Sequence, residues 1–309
     1  MKLQPTHILA ALAILAILPW FLGNAYIFHI CTMIVIMMPM AMGMNLMLKV
    51  GQLSIAMPAF MGIGAYACAL LAMRLHWPTP LALCGGAVLA ALAAGIVGPI
   101  FLRIKGVYFV LLTYAFGQIV DLVFQEWTSL FGGNSGLYGI PKLSLFGLRL
   151  TMVQQYYVLG LCVAIVFYSI IRFIECSDVG SILDSFNTNE MLGLSMGGNA
   201  LAWRTVTFIL SALAAGFSGG VYAFYIGFLS PEAFGFRLSI DLIVINAIGG
   251  VHYVLGPLLG SILIVPLPEL LRDARQYQLL IYGACLIAFL LFMRNGLISL
   301  ILRQKETAR

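Results

Sequence analysis

Glu175 to Asn199, ECSDVGSILDSFNTNEMLGLSMGGN, decides how the rest of the chain is read, because it is the long interior segment that could not sit in lipid. It gathers Asp178, Asp184, Asn187, Asn189 and Glu190 in a chain of which only 9% is charged, and charged side chains are expensive in hydrocarbon. Ser181 followed three residues later by Asp184 reads as a helix N-cap with a carboxylate at the third position. Ile182, Leu183 and Phe186 add an apolar edge at helical spacing. A short helix is expected there, and a second over Thr188 to Met196, stopped by Gly197, Gly198 and Asn199, which accept the left-handed conformation a helix end requires. The stretch thus predicts a compact helical knob outside a membrane. A solvated connector is the plain reading; an apolar edge ordered on helices favours a docking surface.

Working outward, the flanks are apolar on both sides. With 309 residues, 62% of them hydrophobic, and 32 glycines, the chain has a mean hydropathy of +1.04, which excludes a soluble globular protein. The glycines fit close-packed membrane helices. Cys31, Cys68, Cys84, Cys162, Cys176 and Cys285 form no CxxC pair and read as small core residues, implying neither a disulfide framework nor a metal site. A formal charge of +5 from scattered basic residues argues against a nucleic-acid partner.

Spans are expected over Ile8 to Leu22, read as a membrane segment because no soluble domain follows it, and over Ile27 to Leu48, Leu53 to Met73, Pro80 to Leu102, Val107 to Glu126, Met152 to Phe173, Trp203 to Phe228, Arg237 to Gly250, Val254 to Leu271 and Leu279 to Leu302. This gives an all-α polytopic membrane protein with about ten crossings. Pro58 withdraws a backbone donor and predicts a break in the third span. Trp127 to Leu150, with GGNSG and GIP, is a glycine-rich loop outside the membrane. If the N-terminus lies inside, the inner loops hold Lys2, Lys49, Arg103, Lys105, Arg172, Arg204, Arg294, Arg303, Lys305 and Arg309, and the outer loops hold Arg74, Lys142, Arg149, Arg237, Arg272 and Arg275. That excess places the knob and both termini in the cytoplasm. Leu53-Ser54-Ile55 recurs as Leu238-Ser239-Ile240, and Ile63-Gly64 recurs at the same offset as Ile248-Gly249. The two copies run in opposite directions, as in the inverted repeats on which transporters are built.

His7, His29, His76 and His252 are dispersed, and no HExxH, GxSxG or GxxxxGK[ST] pattern occurs, so the chain carries neither catalytic machinery nor its own ATPase. Three polar sets fall within spans. Gln118, Asp121 and Gln125 form a stripe on the fifth, with Asp121 either lining an aqueous pathway or making a structural pair. Asp241 and Asn246 lie on the eighth, and Gln52 and Ser54 lie beside Pro58; for both sets helix-helix hydrogen bonding is favoured over a pathway role.

GQLSIAMPAFMGIGAY at Gly51 to Tyr66, RIKGVYFVLLTYAFGQI at Arg103 to Ile119, GGNSGLYGIP at Gly132 to Pro141 and GFLSPEAFGFRLSIDLIVINAIGG at Gly227 to Gly250 resemble, in the same order, the permeases of branched-chain amino acid ABC importers of the LivM-like branch. The resemblance implies a single permease domain over residues 1–309 in a bacterial inner membrane, with a cytoplasmic coupling segment at 176–202 and an extracytoplasmic loop at 127–150. It places the ATPase-coupling element on Gly180 to Gly197, where Asn189, Glu190, Gly193 and Gly197 fit the family pattern, and the apolar edge of Ile182, Leu183 and Phe186 joins them as coupling candidates. It further implies a second permease, two ATPase subunits that bind ATP and magnesium, and an extracytoplasmic solute-binding protein, with no cofactor held by this chain. Two positions depart from the family pattern: arginines usual in the coupling segment are replaced by Ser181, Asp184 and Asn187, and Ala56-Met57 stands where a glycine and a histidine are common. An ion-coupled secondary transporter is the competing function, and it leaves the knob without a task.

Overall fold

The computed structural model describes residues 19–20, 23–145, 148–188, 199–251, 253–271 and 277–292. These are predominantly helical. The main helices are α1 (Ala25–Lys49), α2 (Met57–Met73), α3 (Thr79–Phe101), α4 (Val107–Glu126), α5 (Val153–Cys176), α6 (Asp178–Thr188), α7 (Ala200–Ile226), α8 (Phe236–Gly249), α9 (Gly256–Ile264) and α10 (Gln278–Phe292). Among the described residues five helices, α1, α3, α4, α5 and α7, are long and apolar enough to cross a membrane. Local chemistry sets their ends. The Asn24 side chain accepts the Tyr26 N–H at the start of α1, the Asn199 side chain accepts the Ala202 N–H at the start of α7, and Gly227, at φ 76°, supplies the left-handed stop after α7.

The core is a packing of α1, α2, α3 and α7 at very short range. A Cβ placed on Gly64 of α2 would lie 2.4 Å from Gly216 Cα of α7, and one on Gly219 would lie 2.0 Å from the Met61 carbonyl oxygen. Lipid tails are as apolar as leucine, so burial alone does not drive such helices together. Close backbone approach and interhelical hydrogen bonds do, and Ser211 Oγ of α7 donates to the Gly43 carbonyl of α1 at 2.7 Å.

Contacts between helix ends sort into two sets. At one end, Lys49 of α1 pairs with Glu175 of α5, and Asn45 Nδ2 donates to the Val251 carbonyl at 3.0 Å. At the other, Arg74 donates to the Ser129 carbonyl, and Thr79 bonds Ser144. There too, strand β1 (Leu137–Tyr138) pairs with β4 (Phe228–Leu229), and Tyr26 Oη reaches the Glu269 carbonyl at 3.4 Å. Both sets agree with the up-and-down alternation read from the sequence. In the 127–150 loop, β2 (Ser144–Leu145) and β3 (Leu148–Arg149) form a small hairpin.

Several expected boundaries move. The third span is not a helix from Leu53: α2 starts at Met57, so Pro58 occupies its first turn, where the missing N–H costs nothing, and the break lies upstream. Ser181 does not cap a helix. Helix α6 begins at Asp178, three residues earlier, directly after Ser177 ends α5, and Gly180 sits so tightly in that elbow that a Cβ would lie 2.5 Å from the Glu175 carbonyl. The ninth span is divided, α9 being followed by a turn at Val265-Pro266 and one helical turn over Leu267–Leu270. The helix expected over Thr188 to Met196 and nearly all of the first span fall outside the described residues.

Gly219→Val drives a branched side chain into the Met61 backbone, an overpacking that costs about 1–3 kcal/mol or more where backbone must move. The purified variant is expected to melt at least several degrees below wild type in a detergent thermal-shift measurement, and an unchanged melting temperature would contradict the packing described here.

Candidate functional site

Two helices meet near their amino ends: α2 begins within the bundle, and α8 begins against it with Phe236 and Arg237 exposed. Helix α2 has 17 residues and α8 has 14; at about 1.5 Å per residue neither spans the roughly 30 Å of a hydrocarbon core. Ahead of α2, residues 51–56 are non-helical, yet Gln52, Ser54 and Ala56 are buried. Irregular backbone at such depth persists only where protein or a watery cavity satisfies it. Here hydroxyl groups do so. The Ile55 N–H donates to Thr113 Oγ1 of α4 at 3.2 Å, Ser239 Oγ of α8 donates to the Ile55 carbonyl at 2.8 Å, and Ser54 Oγ accepts the Ala56 N–H at 3.3 Å. The two Leu-Ser-Ile copies therefore touch, although the first is irregular and the second lies in the first turn of α8.

Around this joint lies a narrow cleft lined by Ile55, Pro58, Ala59, Tyr114, Gly117, Gln118, Asp121, Phe234, Phe236 and Ser239. Its free space, about 10 Å³, admits roughly one water molecule. Tyr114 closes one side by an edge-on contact with Phe236, ring centroids 5.1 Å apart. Asp121 Oδ2 accepts from Gln125 Nε2 at 2.9 Å. Its Oδ1 is buried with no partner among the described residues, and so is the hydroxyl of Tyr66, which lies within electrostatic reach of Asp121. A buried acceptor left without a donor costs about 1–3 kcal/mol, more for a charged group. The amino-terminal ends of α2 and α8 bring positive helix-dipole ends to the same place. An acceptor carboxylate opposite two positive helix ends can hold a group that carries both signs of charge.

The structure places Pro58, Gln118 and Asp121, which the sequence reading held in two separate sets, on one cleft, with Ser54 beside them in the irregular segment. Gln52 is buried one turn away, its N–H bonded to the Met47 carbonyl at 3.1 Å. Asp241 and Asn246 lie off the cleft. Asp241 accepts from Tyr282 Oη of α10, while Asn246 Nδ2 donates to the Ala41 carbonyl of α1 at 3.2 Å and the Leu242 carbonyl at 2.9 Å. Each side chain joins helices. Ser239, Tyr114 and Thr113 were missed; Ser239 was flagged only by its place in the repeated tripeptide, and nothing in the sequence distinguishes the other two from ordinary span residues.

Of the coupling residues, Leu183 and Phe186 are buried against the chain's own bundle, where α6 packs on α1 and α5. Ile182 is half-buried, and Asp178 and Ser181 are exposed. Phe186 is 4% exposed, so its ring does not protrude in this arrangement. Asn189, Glu190, Gly193 and Gly197 lie outside the described residues.

The family model for the branched-chain amino acid transport system permease component matches residues 26–290. The chain belongs to that family. Among curated proteins, the high-affinity branched-chain amino acid transport system permease protein LivM of Escherichia coli K12 is 28% identical over 318 residues, covering 94% of this chain and 74% of the relative. The LivM protein of Salmonella typhimurium LT2 is 27% identical over 323 residues, covering 96% and 75%. No solved structure shows significant similarity to the chain. For this permease the matched region includes α1 to α9, the cleft and the α6 elbow, and reaches into α10.

Proposed function

We propose that this permease is the membrane-spanning subunit of an ATP-driven importer, and that a branched-chain amino acid or a related small zwitterion passes through the cleft where α2 and α8 begin. The observation that carries the reading is Asp121, a half-buried carboxylate whose Oδ1 is buried with no partner among the described residues, lining the cleft at the break in the third apolar segment. In passage, the substrate ammonium would meet Asp121 Oδ1 and its carboxylate the helix ends, the polarity that discontinuous helices use in other transporters. The two Leu-Ser-Ile copies would then mark the centre of an inverted repeat, with about ten crossings counted over the whole chain. Cleft closure by Tyr114 and Phe236 corresponds to an occluded state. The end carrying Lys49 and Glu175 would face the cytoplasm, with both termini on that side and the 127–150 loop opposite, towards a solute-binding protein. ATP and magnesium would be bound by two partner ATPase subunits, and a second permease would complete the path.

On this account α6 couples the ATPase to the bundle. Its exposed face, with Asp178 and Ser181, meets the partner, and its buried face transmits the motion to α1 and α5 through Leu183 and Phe186. The Lys49–Glu175 ion pair, joined by Arg172 Nη1 at 3.3 Å from Glu175 Oε2, ties the elbow to both helices.

Asp121→Asn keeps the shape and removes the charge. In the assembled transporter, leucine uptake is expected to fall by about tenfold or more, a little over 1.4 kcal/mol in the barrier, with complex yield unchanged. Wild-type uptake kinetics in an intact complex would reject the route. Phe186→Ala removes packing worth about 3–5 kcal/mol in a well-filled site. It should leave ATPase subunits co-purifying while substrate-stimulated hydrolysis no longer drives uptake. Loss of the ATPase subunits would instead place Phe186 in the partner contact, and unchanged coupling would deny α6 its role.

A further inference from the structure

Between α4 and the paired helices α2 and α3 runs an open groove of about 630 Å³, separate from the cleft and not called on by the transport reading. Ile63, Leu70, Leu89, Val120 and Phe131 are among the residues that line it, and its walls are almost wholly hydrocarbon. The one charged residue in the lining is Arg74, at the carboxyl end of α2. Its guanidinium is exposed and spends one Nη2 donor on the Ser129 carbonyl, which holds it at the rim and leaves other N–H groups of the fork unengaged by that bond. Trp77 and Trp127, both exposed, stand at the same end of the molecule, and tryptophans favour the level of the lipid headgroups.

We infer that this groove holds a bilayer phospholipid, one acyl chain lying along α2 and an anionic headgroup phosphate on Arg74. The length of the groove and the place and chemistry of its one cation point to this occupant. The groove follows α2 from Arg74 to Ile63, eleven residues or about 16 Å, which matches the roughly 15 Å of one leaflet's hydrocarbon. Its cation sits at the interface end, where a headgroup lies, and not at the buried end. Guanidinium groups pair with phosphate oxygens through a planar fork that a lysine ammonium lacks. A water-filled gap is excluded by the lining, which offers almost no polar partner away from Arg74. A second permease seated here would need to cover Arg74 with an acceptor of its own. The bound chain fills the space that would otherwise separate α4, which bears Asp121, from the bundle, so the lipid supports the helix that forms one wall of the cleft.

The test uses the full transporter complex purified from membranes into nanodiscs of phosphatidylcholine and phosphatidylglycerol, then transferred to mild detergent for native mass spectrometry. Wild type should retain at least one more phosphatidylglycerol per permease than Ala67→Trp, which fills the groove with an indole. Arg74→Gln should keep a lipid but lose the preference for phosphatidylglycerol over phosphatidylcholine, by about fivefold or more. Equal lipid retention in wild type and Ala67→Trp would overturn the proposal. So would a disulfide between Leu70→Cys and a cysteine scanned along the second permease, which would show that a protein covers the groove. Because Asp121→Asn leaves the groove intact, lipid retention in that variant separates failure of this proposal from failure of the transport reading.

Discussion

A backbone that leaves its helix inside a membrane must find new partners for every freed N–H and C=O, and this permease is built around one place where that is done with three hydroxyls. Thr113, Ser239 and Ser54 take over bonds that a helix through residues 51–56 would have made internally. The chain gains two helix starts facing each other. It also gains a short stretch of positive backbone ends in a location where free charge is otherwise excluded. Asp121 lines the cleft beside this stretch, its Oδ1 buried with no partner among the described residues.

The rest of the molecule holds that joint in register. Gly64, Gly216 and Gly219 let α2 and α7 approach until backbone touches backbone, so α2 cannot slide to close the break by extending its helix. Further out, the buried Lys49–Glu175 pair fixes α1 to α5 at the point where α6 turns away. Removing one partner of such a pair leaves an uncompensated charge, and the cost is typically several kcal/mol. Gly43 of the same helix α1 is bonded to α7 through Ser211. The physical chain from the elbow to the cleft thus consists of an ion pair, a hydroxyl bond and a glycine contact.

Much of this was legible from the residues. Apolar runs of helical length located the five long helices within a few residues, and Val107 to Glu126 was read with the same ends that α4 has. The polar stripe Gln118, Asp121 and Gln125 stood out because charge is scarce; Gln118 and Asp121 line the cleft, and Gln125 bonds Asp121. Pro58 announced a break but not its place, since a proline is equally at home in the first turn of a helix and at a kink. Phe186, read as an anchor for a partner, is buried in this structure. An aromatic on an amphipathic helix marks an apolar face, but sequence does not tell whether that face meets a partner or the chain's own bundle. Asp241 and Asn246 join helices, the role favoured for them over a pathway one, although their partners, Tyr282 and the Ala41 carbonyl, lie far away in sequence. Thr113 carried no signal at all, its function arising only from the fold that brings Ile55 to it.

The central claim is that the joint of α2, α4 and α8 opens during transport, and cysteine accessibility at Ala59 tests it most directly. Ala59 lines the cleft and is buried in the closed arrangement. In a complex otherwise free of cysteine, Ala59→Cys should react slowly with a small cationic thiosulfonate at rest. Its reaction should quicken by about tenfold or more during ATP turnover and be slowed again by excess amino-acid substrate. A rate unaffected by both ATP and substrate would contradict the account.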